Sequence, residues 1–243
     1  EKAKLVYYTL AYPTPMDRNL FVTDLEGKKT TQLTKGTGWH RVVFNNDFNQ
    51  FYDYYSNINT PQTVTLFDVK NNKGIAAVQN KVTNESSKLK TVMADYELSN
   101  AEFIRVPNSK GDTLNGWMLK PTNFDPNKKY PVLISVYGGP NAGTVMDTWG
   151  LNGNQQWYAK EGLIQVTMDH RGSSHFGKDG VNNMYHNLGY WEMKDYSTMV
   201  KWLIANGNAD ASKICITGFR YGGYMTAYAL TYGSDVFTHG IAS

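Results

Sequence analysis

Residues Gly218-Phe219-Arg220-Tyr221-Gly222 set a glycine two positions either side of an arginine, between the apolar run 214–217 and a helix-forming stretch, 222–232. Strand, sharp turn and helix in that order make the pattern of a nucleophile elbow, Gly-x-Ser-x-Gly. The glycines serve it because strand and helix approach too closely there for a Cβ. The central residue sits in a strained backbone region and projects its side chain into a site. Acyl transfer at that centre needs a hydroxyl that a base can deprotonate. A guanidinium stays protonated and has no acceptor lone pair, so Arg220 cannot attack a carbonyl. It also fills the space a substrate carbonyl would need, and its charge disfavours an imidazolium nearby. On the residues alone two readings stand: a site whose nucleophile is replaced, or an ordinary tight turn with a surface arginine.

The other residues with chemical potential have plainer explanations. Asp169, His170 and Arg171 are adjacent in a loop, where neighbours rarely point at one another, so a structural turn is expected. His170, His175 and His186 lack the spacing of a metal-binding motif, and neither a metal nor a cofactor is expected. Cys215 lies within an apolar strand and reads as a small core hydrophobe. Glu192 and Asp195, at i and i+3 on a helix, are expected to cap or tether it. Trp149, Trp157, Trp191 and Trp202 read mostly as packing. Tyr137 differs, because it ends a predicted parallel strand, where α/β sheets place their sites.

The elements that must position these residues fall into two patterns. From Leu5 to about Lys81 the chain is β-rich, with short runs at 5–11, 20–25, 30–33, 51–56 and 63–69. Turn signals separate them at Pro13-Thr14-Pro15, Glu26-Gly27, Asn45-Asn46-Asp47 and Asn71-Asn72-Lys73-Gly74. Such a segment is too short for a complete propeller and amounts to one blade and part of another. A polar break follows over 80–100. It contains Asn84-Glu85-Ser86, a formal glycosylation sequon that is short enough to arise by coincidence. Beyond it, 102–106 and 114–119 read as a strand pair and 131–137 as a strand buried on both faces. A helix at 155–161, a strand at 163–168, a helix at 190–205 and the elbow complete the series. Strand and helix alternating in this way imply a parallel sheet.

Composition excludes several classes. The chain has 243 residues, 24 basic and 21 acidic, for a net charge of +3, too weak to imply nucleic acid or an acidic membrane. One cysteine rules out an internal disulfide framework and a Cys-rich zinc site. No apolar run approaches the roughly 18 residues of a membrane-spanning helix. The chain opens without Met and stops inside a predicted strand, so a fragment is expected. Expressed alone, it is expected to aggregate or stay partly molten through an exposed sheet edge.

Four stretches together carry a resemblance: Val136-Tyr137-Gly138-Gly139-Pro140, Asp169-His170-Arg171-Gly172-Ser173, Leu188 to Asp195, and the elbow from Gly218 to Met225. In order and spacing they resemble the prolyl oligopeptidase family of serine peptidases, most closely its dipeptidyl peptidase IV branch. In the first half, Arg18-Asn19-Leu20-Phe21 through Gly27, and Tyr55-Ser56-Asn57 through Pro61, resemble the end of that branch's propeller. The resemblance implies residues 1–98 as the end of a β-propeller domain and 99–243 as the front of an α/β-hydrolase peptidase domain. It gives Tyr137 the role of a phenolic oxyanion donor and the Tyr221 N–H that of the second donor, with the nucleophile at position 220 and Gly218 and Gly222 shaping the elbow. It implies an acid and a histidine further along than this chain extends. It implies a peptide substrate with Pro or Ala second from the N-terminus, a homodimer, and a secreted, periplasmic or membrane-anchored location. With Arg220 in place, no covalent hydrolysis is expected. The alternative is a non-catalytic relative acting as a binding or scaffolding protein.

Overall fold

The computed structural model describes residues 4–70, 76–84 and 87–243. They form two compact units: residues 1–96 with 146–151, and residues 97–145 with 152–243. The predicted turn at 71–74 and the sequon at 84–86 fall outside the described residues or their side chains. Among the described residues no helix is long and apolar enough to cross a membrane.

The described residues of the first unit hold seven strands and one short helix. β1 (Leu5–Leu10), β2 (Asn19–Asp24) and β3 (Thr31–Gln32) form a three-stranded antiparallel sheet. β4 (Trp39–Phe44), β5 (Gln50–Asn57), β6 (Thr60–Lys70) and β7 (Ala76–Asn84) follow as a four-stranded antiparallel meander, a blade-like sheet. Leu20, Val22, Leu33 and Phe51 are buried together, with Tyr7, Phe44 and Phe67 packed against them. Stacked and tilted rings at 4.8–5.2 Å join Tyr7 to Phe44, Phe44 to Phe51 and Phe51 to Phe67. Within this unit Asp147 accepts from the Ile58 N–H at 2.8 Å, and its own N–H donates to the Met16 carbonyl.

Two strands and a helix depart from the sequence expectation. β4 carries His40 and Arg41, which break the apolar alternation. His40 is nonetheless buried, because its Nδ1 lies 2.7 Å from the buried Asp53 carboxylate on β5. The segment expected as a polar break instead completes β7 and forms α1 (Ser87–Ala94).

The second unit is a six-stranded sheet in the order β13-β12-β10-β11-β9-β8. β8 (Ala101–Pro107) and β9 (Thr113–Leu119) form an antiparallel pair at one edge, and β9 runs antiparallel to β11. β10 (Tyr130–Ser135), β11 (Ile164–Met168), β12 (Ala209–Gly218) and β13 (His239–Ala242) are parallel. The crossovers carry α2 (Gly153–Lys160), then α3 (Gly177–Asn182) and α4 (Tyr190–Asn206), then α5 (Tyr221–Tyr232). β11 is buried at every position, as a strand covered on both faces must be. Val132, Ile134, Val166, Met168, Ile214 and Ile216 pack with Met193, Tyr196, Met199, Leu203, Met225 and Ala229 of the helices. This is a helix-covered α/β sheet of hydrolase type preceded by propeller-like strands, as the resemblance implied.

Cys215 departs from its expected place in the core. It is half-buried, because β12 is followed outward only by the short β13. Its thiol is still pushed up by burial. Among the tryptophans, Trp157 is 57% exposed, with its ring 5.2 Å from that of its neighbour Tyr158.

Candidate active site

Three strand ends converge at one edge of the second unit: Val136 and Tyr137 after β10, Asp169 after β11, and Gly218 at the end of β12. The turn from β12 into α5 puts Arg220 at φ 56°, ψ −116°. A non-glycine residue with positive φ costs about 1–3 kcal/mol and persists only when its surroundings over-determine it. Here they do. The Arg220 N–H donates to the Ser243 carbonyl at 2.9 Å, and the Ser243 N–H donates to the Gly218 carbonyl at 3.1 Å. The Gly222 N–H closes onto the Phe219 carbonyl at 2.9 Å.

The flanking glycines are enforced by backbone. A Cβ at Gly218 would stand 2.5 Å from the Val136 carbonyl oxygen, and one at Gly222 2.3 Å from the same atom. The Arg220 side chain is exposed, with its guanidinium carbon 5.3 Å from the Phe219 ring centroid. Tyr221 is the first residue of α5, where an N–H has no intrahelical acceptor. Tyr137 is 37% exposed, and its ring centroid lies 6.4 Å from that of Tyr221. The structure therefore brings Tyr137, Arg220 and Tyr221 to one sheet edge.

Behind this edge lies a buried polar layer. The Asp169 carboxylate accepts from the N–H groups of Thr144 and Val145 and from the Thr144 hydroxyl, at 2.7–3.0 Å. Arg171 grips Asp195 of α4 through Nε (2.9 Å), Nη2 (2.6 Å) and its own backbone N–H (2.8 Å), and its guanidinium stacks 4.2 Å from the Trp191 ring. Glu192 receives the Gly189 N–H at 2.9 Å and the Tyr221 hydroxyl at 2.6 Å. Burial, then the hydrogen bond to Glu192 and its charge, pushes the Tyr221 phenol well up, so it remains a donor. Tyr196 is fully buried, its phenol also raised by burial, and it meets the His170 ring edge-on at 5.6 Å.

Of the two histidines of this layer, His170 bonds the backbone and His175 faces side chains. His170 Nδ1 accepts the Gly172 N–H at 3.0 Å, which leaves the proton on Nε2 to donate to the Gly138 carbonyl at 2.9 Å. His175 lies 3.2 Å from the Asn115 amide and 3.6 Å from Asp169. His186 lies apart, exposed at φ 55°. Asp169, His170 and Arg171 thus point to three different partners and form a structural turn. Sequence reasoning missed two long-range bonds, Tyr221 to Glu192 and His170 to Gly138. Their one local signal was the glutamate three residues after Gly189, in the capping-box position.

Burial holds the His170 pKa below its usual value. The unfolded chain, with a histidine near about 6.5, then binds more protons than the folded chain at mildly acid pH. The stability His170 confers is complete above that value and is lost as pH falls below it. The melting temperature is expected to drop between pH 7.5 and 5.5, and His170→Gln, which cannot titrate, to flatten that slope. An unchanged slope would mean that His170 does not titrate on unfolding.

Comparison with known proteins agrees with the fold. Residues 149–243 match the prolyl oligopeptidase family, and residues 1–62 match the dipeptidyl peptidase IV N-terminal region. A probable dipeptidyl peptidase 4 of Arthroderma benhamiae is 29% identical over 100% of this chain and 31% of its own length. The human prolyl endopeptidase FAP is 34% identical over 67% of the chain and 21% of its own length. The crystal structure of Porphyromonas gingivalis dipeptidyl peptidase 4 superposes with a TM-score of 0.88 at 28% identity, over 98% of this chain and 33% of that one. The chain spans about a third of the length of these dipeptidyl peptidases. Propeller-like strands leading into a hydrolase-type sheet, two matched regions in the right order and relatives that align along nearly the whole of this chain show that it belongs to the prolyl oligopeptidase family of serine peptidases, in its dipeptidyl peptidase IV branch.

Proposed function

We propose that this chain carries the elbow half of a serine-type dipeptidyl peptidase site, silenced at its nucleophile position by Arg220. The observation that carries the reading is the backbone of Arg220, at φ 56°, ψ −116°, between two glycines that admit no Cβ. That strain is retained although the residue it presents cannot do acyl transfer. With serine at 220, the hydroxyl oxygen would attack the substrate carbonyl carbon and pass its proton to a base. The carbonyl oxygen would become an oxyanion between the Tyr221 N–H and the Tyr137 hydroxyl, and the amine would leave with that proton. The substrate class is a peptide with Pro or Ala second from the N-terminus. The 1–98 segment is read as the end of a propeller domain and 99–243 as the front of the peptidase domain. A homodimer and an extracytoplasmic location accompany this reading.

Arg220 itself favours a second reading, a non-catalytic relative that binds or scaffolds. Hydrolysis of a Gly-Pro-anilide by the full-length protein, as written and as Arg220→Ser, separates the two. The first reading expects background from the arginine form and turnover from the serine form. Silence from both, with both cooperatively folded, supports the binding protein. Turnover by the arginine form would mean that the nucleophile lies elsewhere.

A further inference from the structure

Glu192 makes one hydrogen bond more than helix capping requires. Its Oε1 accepts the Gly189 N–H, which closes the first turn of α4, and also the Tyr221 hydroxyl, 29 positions on. The carboxylate is fully buried, and its Oε2 has no partner. A buried acceptor left unpaired costs stability, whereas a cap alone could be made at the surface by a solvated side chain. What burial provides is a fixed, dry anchor for the ring of the first residue of α5. Tyr221 stays protonated against it, because burial and the Glu192 charge both oppose ionisation.

We propose that Glu192 is a positioning residue: by holding the Tyr221 ring it fixes the direction of the Tyr221 N–H at the turn. This rests on the reading that Tyr221 donates to an oxyanion there. A donor of that kind must be aimed at the place where charge develops, and a misplacement of about 1 Å can cost about 10²-fold in rate. The Tyr221 hydroxyl donates to Glu192 at 2.6 Å, so losing that bond cuts a tether while the ring keeps its neighbours Tyr137 and Tyr224.

The test uses the full-length protein in the Arg220→Ser form. Glu192→Ala is expected to lower kcat on a Gly-Pro-anilide about 10²-fold with KM nearly unchanged, because the donor acts on the oxyanion rather than on the bound substrate. Glu192→Gln, which still accepts from both donors, is expected to recover most of that loss. Tyr221→Phe, which keeps the ring and N–H but cuts the tether, is expected to match the alanine variant, and the two losses are expected not to add when combined. If Glu192→Ala does not fold, Tyr221→Phe carries the test: kcat equal to that of its parent overturns the proposal. So does a Glu192→Ala loss that adds fully to that of Tyr221→Phe, or one that falls on KM alone. If the parent Arg220→Ser protein neither labels with a serine probe nor turns over, the function reading has failed rather than the positioning role.

Discussion

Arg171→Ala is expected to destabilise the second unit by about 3–5 kcal/mol, since removing one partner of a buried ion pair strands the other charge in the interior. Arg171 and Asp195 have side chains only 2% and 1% exposed. Asp195 would lose both guanidinium bonds and keep only the Arg171 backbone N–H. The Trp191 ring would lose its stacked cation as well. Arg171→Lys is expected to rescue little, because an ammonium cannot reproduce the two-point grip or the stacking. Urea denaturation of the full-length protein followed by tryptophan fluorescence checks this. A loss below about 1 kcal/mol would place the pair in the range of exposed salt bridges and contradict the burial seen here.

Gly222→Ala is expected to cost about 3 kcal/mol, at the upper end for overpacking, because the added methyl meets backbone rather than a side chain that can swing away. Its Cβ would stand 2.3 Å from the Val136 carbonyl oxygen, on the segment that carries Tyr137. For a domain of about 150–250 residues such a loss lowers the melting temperature by roughly 6–12 °C, read on the full-length protein. Gly153→Ala is the control: nothing lies within 4 Å of its Cβ, and it opens α2, where alanine is the better helix former. A Gly222→Ala protein that melts with its parent would mean that strand and helix do not approach closely at this turn.

The parallel sheet and the strand–turn–helix at 218–222 were legible because burial on both faces and flanking glycines leave marks on neighbouring residues. Pro131 to Val136 is nearly all apolar, and the two glycines stand at a fixed distance from Arg220. β4 was hidden because its buried histidine is satisfied by Asp53 on another strand, a partner that alternation cannot reveal. α1 was hidden because it is only eight residues long and lies within a polar, charged stretch. Cys215 looked like core because its neighbours Ile214 and Ile216 are, yet its own side of the sheet is only half covered. At the site, the residue types at 137, 220 and 221 could be read directly. The layer that orients them could not, since Glu192–Tyr221 and His170–Gly138 join positions about 30 apart, and only folding pairs them.

The central claim is that the turn at 218–222 is an intact elbow lacking only its nucleophile. Exposing the full-length protein, as written and as Arg220→Ser, to a fluorophosphonate probe and mapping the labelled peptide tests it most directly. No adduct is expected on the arginine form, and a single adduct at position 220 on the serine form. A serine form that folds with the stability of its parent and takes up no label, or takes it up at another residue, would contradict it.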